Sequence, residues 1–144
     1  AQVIATDQSP EALAIARSNA QYLKLEPQVQ FVQGSWYEAI ENDAAFDVIL
    51  SNPPYIEKGD PHLQQGDLRF EPIHALTDQA NGLSCLIAII SGAKSHLNPK
   101  GLIAVEHGFD QSDAVVELMK SAGLEDIQTH LDLAGHRRVA SGRK

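Results

Sequence analysis

The sequence predicts an α/β fold: a parallel sheet with helices on its faces, closed by an antiparallel hairpin at one edge. Three observations lead there. Short apolar runs rich in β-branched residues alternate with stretches of helical periodicity, the pattern of strand–helix–strand units. The apolar runs end in polar residues, at Asp7, Ser35–Trp36, Asn52 and Glu106–His107. The closing stretch DIQTHLDLAGHRRVASGR reads as two strands around Gly135. The length of 144 residues predicts one domain over 1–144.

The elements follow in order. Gln2 to Asp7 is a β-branched run ending in an acid. Ser9 and Pro10 read as an N-cap followed by proline at the first helical position. Leu13, Ala16, Ala20 and Leu23 recur at helical spacing, and Pro27 closes that unit. Val29 to Gly34 alternates as a strand, and a short helix follows Trp36. Phe46 to Asn52 reads as a buried strand. Pro53 to Asp78 has little periodicity and carries Gly59, Pro61, Gly66 and Pro72, the composition of a long functional loop. Leu83, Leu86, Ile87, Ile90 and Leu97 mark a second helix, Asn98–Gly101 a turn, and Leu102–Gly108 a further buried strand. Val115, Leu118, Met119 and Ala122 mark a helix that stops at Gly123. Open α/β sheets bind ligands beyond the carboxyl ends of their strands. The four polar strand ends are therefore expected to line one crevice.

Composition narrows the function. With 43% hydrophobic residues the chain can bury a core. The longest apolar run, CLIAII, is too short to span a membrane. No basic segment leads into an apolar stretch as in a signal peptide. One cysteine, Cys85, permits no internal disulfide. These features predict a cytoplasmic protein without a membrane partner. A net charge of −8 argues against direct nucleic-acid binding, which calls for a basic face. The chain opens at AQVIATD as a strand already under way, so it is expected to belong to a longer protein.

The stretch SNPPYI, Ser51 to Ile56, carries the chemistry. A residue before proline is driven to an extended conformation, and each proline fixes its own φ and lacks an N–H. Asn52–Pro53–Pro54 is thus a stiff hook. Its acceptors are the Asn52 side-chain oxygen and the Pro53 main-chain oxygen. Those two acceptors can hold both hydrogens of a planar NH2 group, with Tyr55 lying against its plane. The lone pair of an amide or exocyclic amino nitrogen is delocalised. Acceptors on both hydrogens let it move toward tetrahedral geometry and stabilise the positive charge that develops there. The remainder is alignment of nitrogen and methyl carbon. Asn52, Pro53 and Tyr55 are the candidate catalytic residues for N-methyl transfer, and no strong general base is required.

The hook resembles that of class I S-adenosylmethionine-dependent methyltransferases acting on amino nitrogens. The longer string SNPPYI…DPHLQQGDLRFEP, with TDQSPEALAIARSNA, SWY and VEHG, is similar to the release-factor glutamine methyltransferases (the HemK/PrmC family) over nearly the whole chain. That resemblance implies a Rossmann-like sheet of seven strands, of which this chain holds the second to the seventh. The first strand and the glycine-rich cofactor loop are absent from it. It implies S-adenosyl-L-methionine as cofactor and S-adenosyl-L-homocysteine as product. The implied substrate is the side-chain amide of the glutamine in the Gly-Gly-Gln motif of peptide-chain release factors, which are thus the partners. It assigns Asp7 to the cofactor ribose, Trp36 to the adenine, and Asn52 to both cofactor and substrate. Asn52, Pro53, Pro54 and Tyr55 form the substrate clamp. Arg69, Phe70 and Glu71 shape the loop around the incoming tip, and Glu106 and His107 face the same crevice. Where relatives carry an acid before the aromatic residue, this chain has Ser35.

Other signals are bland. The six histidines do not stand at metal-ligand spacing with Cys, His or acids, so no metal is predicted. Cys85 reads as a buried thiol, and the terminal HRRVASGRK as a solvated edge strand. A monomer is favoured. Three alternatives stay open: a ribosomal-protein glutamine as substrate, adenine or guanine in DNA or RNA, and an inactive fragment.

Overall fold

The computed structural model describes residues 1–41, 43–61, 70 and 72–144. They form six strands and four α-helices: β1 Val3–Asp7, α1 Pro10–Tyr22, β2 Val29–Gln33, β3 Phe46–Ser51, α2 Ile73–Leu76, α3 Ser84–His96, β4 Leu97–Glu106, α4 Ser112–Ser121, β5 Glu125–Leu131 and β6 Arg137–Arg143. The chain divides into two compact units, Ala1–Ala44 and Ala45–Lys144.

In the first unit β1 and β2 run parallel, with Val3 opposite Val29 and Asp7 opposite Gln33. α1 connects them. Ser9 caps it as the sequence predicts: its hydroxyl accepts the Ala12 N–H at 3.1 Å, and Pro10 opens the first turn. Leu13 and Ala20 are buried. The Arg17 guanidinium donates to the Phe31 carbonyl at 2.9 Å and lies 5.1 Å from the centre of the Phe31 ring, pinning helix to strand. A 3-10 turn at Glu26–Gln28 contains Pro27, and another spans Trp36–Ala39.

The second unit is a four-stranded sheet in the order β3-β4-β6-β5. β3 and β4 are parallel, and β4–β6 and β6–β5 are antiparallel. The predicted hairpin is present, with Gly135 at φ 86° in its turn and the Asp132 carboxylate accepting the Ala134 and His136 N–H groups, but β6, expected as a solvated edge strand, lies between β4 and β5 and buries Ala140 and Ser141. The expected turn at Asn98–Gly101 lies inside β4 rather than before it. Phe46 pairs with Leu97 and Val48 with Leu102, so the turn is absorbed as an irregularity with Lys100 at φ 67°. The Asn98 side chain donates to Asp47 across it at 2.9 Å, which lets the strand resume pairing. Leu86, Ile89, Ile90 and Ala93 of α3, Val115 and Met119 of α4, Ile103 and Val105 of β4, and Ala140 of β6 are buried together as the core of this unit.

α3 starts where the sequence periodicity places it, but its own N-cap residue, Leu83, contributes no side-chain bond. The cap comes from six residues upstream. Asp78 accepts Ser84 N–H on one carboxylate oxygen at 2.9 Å, and Ala80 and Gly82 N–H on the other at 2.9 and 3.0 Å. Burial raises the Asp78 carboxyl, but the Ala80, Ser84 and Gly82 N–H groups outweigh it and hold it below its ordinary value.

Two stability outcomes follow. Met119→Ala removes a fully buried side chain and should cost about 2–5 kcal/mol, read as a lower urea midpoint. Asp78→Ala removes the α3 cap and should cost about 1 kcal/mol at neutral pH. A carboxyl depressed by folding stabilises above its unfolded value and stops doing so as pH falls through the folded one. The gap between wild type and variant should therefore close below about pH 4.

Candidate active site

Each unit carries part of the predicted site at the carboxyl ends of its strands. In the first, Asp7 closes β1 and is exposed. One of its oxygens accepts the Ser9 N–H at 2.8 Å, and among the described residues the other takes no hydrogen bond. The Asp7 carbonyl accepts Gly34 N–H at 3.0 Å, which holds the end of β2 beside the end of β1. Next come Ser35 and Trp36. The Gln8 amide donates to the Ser35 hydroxyl at 3.1 Å. Trp36 is half-buried and sits at φ 45°, a conformation that a bulky residue rarely adopts without surrounding constraint. Burial pushes the neighbouring Tyr37 phenol up to about 12, so it stays neutral at physiological pH. An exposed acid and an aromatic side chain at adjoining strand ends can receive a ribose diol and a flat base. The donor set therefore fits a nucleoside-type cofactor.

In the second unit, β3 ends at Ser51 and the hook begins. Asn52 is exposed, Pro53 buried, and Pro54 and Tyr55 half-buried. Immediately after the hook, Ile56 bridges Thr77: its N–H donates to the Leu76 carbonyl at 2.9 Å, and Lys58 N–H reaches the Ala80 carbonyl at 3.1 Å. The hook is thus stiffened internally by its prolines and tied on its downstream side to the segment leading into α3.

Glu106 and His107 part company. The Tyr55 hydroxyl donates to the Glu106 carboxylate at 2.9 Å, linking the hook to the end of β4 across 51 positions. His107 is fully buried. Its Nδ1 lies 2.7 Å from the Gly108 carbonyl, so Nδ1 carries the proton, and its Nε2 has no hydrogen-bond partner among the described residues. Successive side chains along β4 point to opposite faces, and His107 continues the buried series Ile103, Val105. The alternation was readable in LIAVEH. The structure pairs Glu106 with the hook and puts the His107 ring into the core.

Phe70 is largely exposed. Arg69 and Glu71, expected beside it around the substrate, lie outside the described residues. Among the described residues no three His, Cys, Asp or Glu side chains gather as metal ligands, and no helix is long and apolar enough to cross a membrane. Sequence reasoning missed two parts of the hook's surroundings. One is the Asp78 cap. The other is Gln111, whose side chain reaches the Tyr55 carbonyl. Neither belongs to a motif; the Asp78 cap is local, whereas no signal in the chain pairs Gln111 with Tyr55, 56 positions away.

The fold is that of known methyltransferases. A methyltransferase from Pyrococcus furiosus superposes with a TM-score of 0.72 at 21% identity, covering 99% of this chain and 62% of the other. At that identity the likeness shows the fold alone. Sequence relatives are nearer. The release factor glutamine methyltransferases of Bordetella pertussis and Xylella fastidiosa (strain Temecula1) are 49% and 50% identical over 99% of this chain. This chain spans about half the length of those relatives, 52% and 51% respectively. A family model described as a methyltransferase domain matches residues 1–130, and the chain belongs to that family.

Proposed function

We propose that the protein carrying this chain transfers a methyl group from S-adenosylmethionine to the side-chain amide nitrogen of a glutamine, the one in the Gly-Gly-Gln motif of peptide-chain release factors. The observation that carries the reading is the Asn52–Tyr55 hook at the carboxyl end of β3, with Tyr55 held by Glu106. The names of the relatives, each a release factor glutamine methyltransferase, support the substrate.

When bound, S-adenosylmethionine supplies a methyl group activated by a positively charged sulfur. The rest is done by side chains. Asp7 receives the ribose hydroxyls on its uncommitted oxygen, and Trp36 flanks the adenine. The Asn52 side-chain oxygen and the Pro53 carbonyl accept the two hydrogens of the glutamine NH2. They fix the nitrogen's orientation and meet the charge that grows on it with oriented dipoles. Pro54 keeps the two acceptors at a fixed separation. Tyr55 limits the amide plane from one side, and its hydroxyl bond to Glu106 sets its ring. His107, buried, supports the end of β4 from beneath. The amide loses its extra proton only after it has become acidic, so no strong base is needed at this site.

Incubation with methyl-labelled S-adenosylmethionine tests the reading. The substrates are a release factor, the same factor with Gln→Ala in its Gly-Gly-Gln loop, and a nucleic acid. Label on the wild-type factor alone is the expected result. Label on nucleic acid would keep the hook chemistry and move the substrate to a base amino group. Asn52→Ala should lower kcat by at least about a hundredfold, the scale of losing one oriented group at the reacting centre. Tyr55→Phe removes the hydroxyl that bonds Glu106 and should cost about tenfold in kcat, with little change in cofactor affinity.

A further inference from the structure

We infer that Gln111 is a positioning residue for the Asn52–Tyr55 hook. The inference rests on the N-methyltransferase reading above for its kinetic effect, and on geometry alone for the anchoring. Gln111 occupies the N-cap position of α4, where a side chain ordinarily turns back to satisfy its own helix. It makes no such bond. Its amide group is spent elsewhere: Nε2 donates to the Tyr55 carbonyl at 2.9 Å and to the Gly82 carbonyl at 3.2 Å, and Oε1 accepts the Gly108 N–H at 2.8 Å. A primary amide has two N–H donors and a carbonyl acceptor, so this one side chain engages all three. It joins three segments: the end of the hook, the turn before α3, and the chain just beyond β4.

The surroundings are shaped for this contact. Gly82 lies at φ 77°, and a Cβ there would stand 2.4 Å from the Tyr55 carbonyl oxygen and 2.6 Å from Gln111 Nε2. Only glycine leaves room for the amide between the two carbonyls. Asp78 holds the same turn from its other side through the Gly82 N–H. Tyr55 is therefore gripped at both ends, by Glu106 at its hydroxyl and by Gln111 at its carbonyl. No other residue type of that length offers two donors and one acceptor in one plane. Glutamate would set an oxygen against two carbonyl oxygens. Leucine would leave two carbonyls and an N–H without partners. Gln111 does not touch the reacting atoms; it acts through Tyr55.

The test uses the chain with whatever flanking sequence its gene encodes. It compares wild type and Gln111→Leu, with a release factor as methyl acceptor. Gln111→Leu should lower kcat about tenfold with the S-adenosylmethionine KM within about twofold. A wild-type kcat in Gln111→Leu would overturn the inference. Amide hydrogen exchange at Ile56 and Lys58 reads the anchoring without any turnover. It should accelerate in Gln111→Leu while β4 and β6 stay protected. Unchanged exchange there overturns the inference whatever the kinetics. If wild type methylates no release factor but exchange responds as stated, the substrate reading falls and the anchoring stands. Should Gln111→Leu not fold, Gln111→Asn, one methylene too short, is expected to give the same pattern.

Discussion

The proposed chemistry depends on holding two hydrogen-bond acceptors, the Asn52 side-chain oxygen and the Pro53 carbonyl, still at the end of a strand. Local sequence can make the hook stiff, because prolines remove rotations that would otherwise have to be frozen on binding. Stiffness alone does not aim it. Aim comes from Tyr55, which is bonded through its hydroxyl to Glu106 and through its carbonyl to Gln111. Both partners stand beyond the β3–β4 pair, at the far end of β4 and the start of α4. The rigid sheet thus serves as the reference frame for the chemistry.

That frame is well founded. β4 is paired on both sides, parallel to β3 and antiparallel to β6, and its inward residues Ile103 and Val105 are fully buried. Functional groups carried at the end of such a strand move little, because any shift would disturb close packing along its length. The same strand shows how alternation divides labour. Glu106 and His107 are neighbours in sequence, yet one bonds the hook and the other fills the core. A proton on His107 Nδ1 is required by the Gly108 carbonyl it faces, which ties the strand end to the turn that follows. That turn carries Gly108, whose N–H the Gln111 side chain accepts.

The first unit follows the same plan with different chemistry. Its strands are short and its buried core is small, Leu13 and Ala20 on the helix. In the second unit Phe46–Asn52 was expected to be a buried strand, but β3 is an edge strand of its four-stranded sheet, and its Val48 and Leu50 are 51% and 74% exposed. What the first unit does supply is local: an acid and an aromatic residue at adjoining strand ends, set by the parallel register of Asp7 and Gln33. Both polar strand ends and the hook obey the rule that parallel sheets present ligands with their carboxyl edges.

Much of this was legible in the sequence, and where it was not, the reason is physical. Strands and helices were readable because burial imposes periods of 2 and about 3.6 on apolar residues, and because Ser9–Pro10 and Gly123 punctuate helices through local hydrogen bonding and φ. The hook itself was readable because it lies in four consecutive residues whose conformational limits are covalent. The Asn98–Gly101 stretch was read as a turn, but it lies inside β4 as an irregularity, bonded through Asn98 to Asp47, far away in sequence. What only the tertiary structure decided are the contacts between distant segments: Tyr55 with Glu106, and Gln111 with Tyr55 and Gly82. A carboxylate or an amide has no pattern that announces its partner. The sequence by itself determined that a stiff hook with exposed acceptors follows β3, because backbone stiffness is local. Tertiary structure decided where they point, because hydrogen bonds between segments form only once the chain has folded.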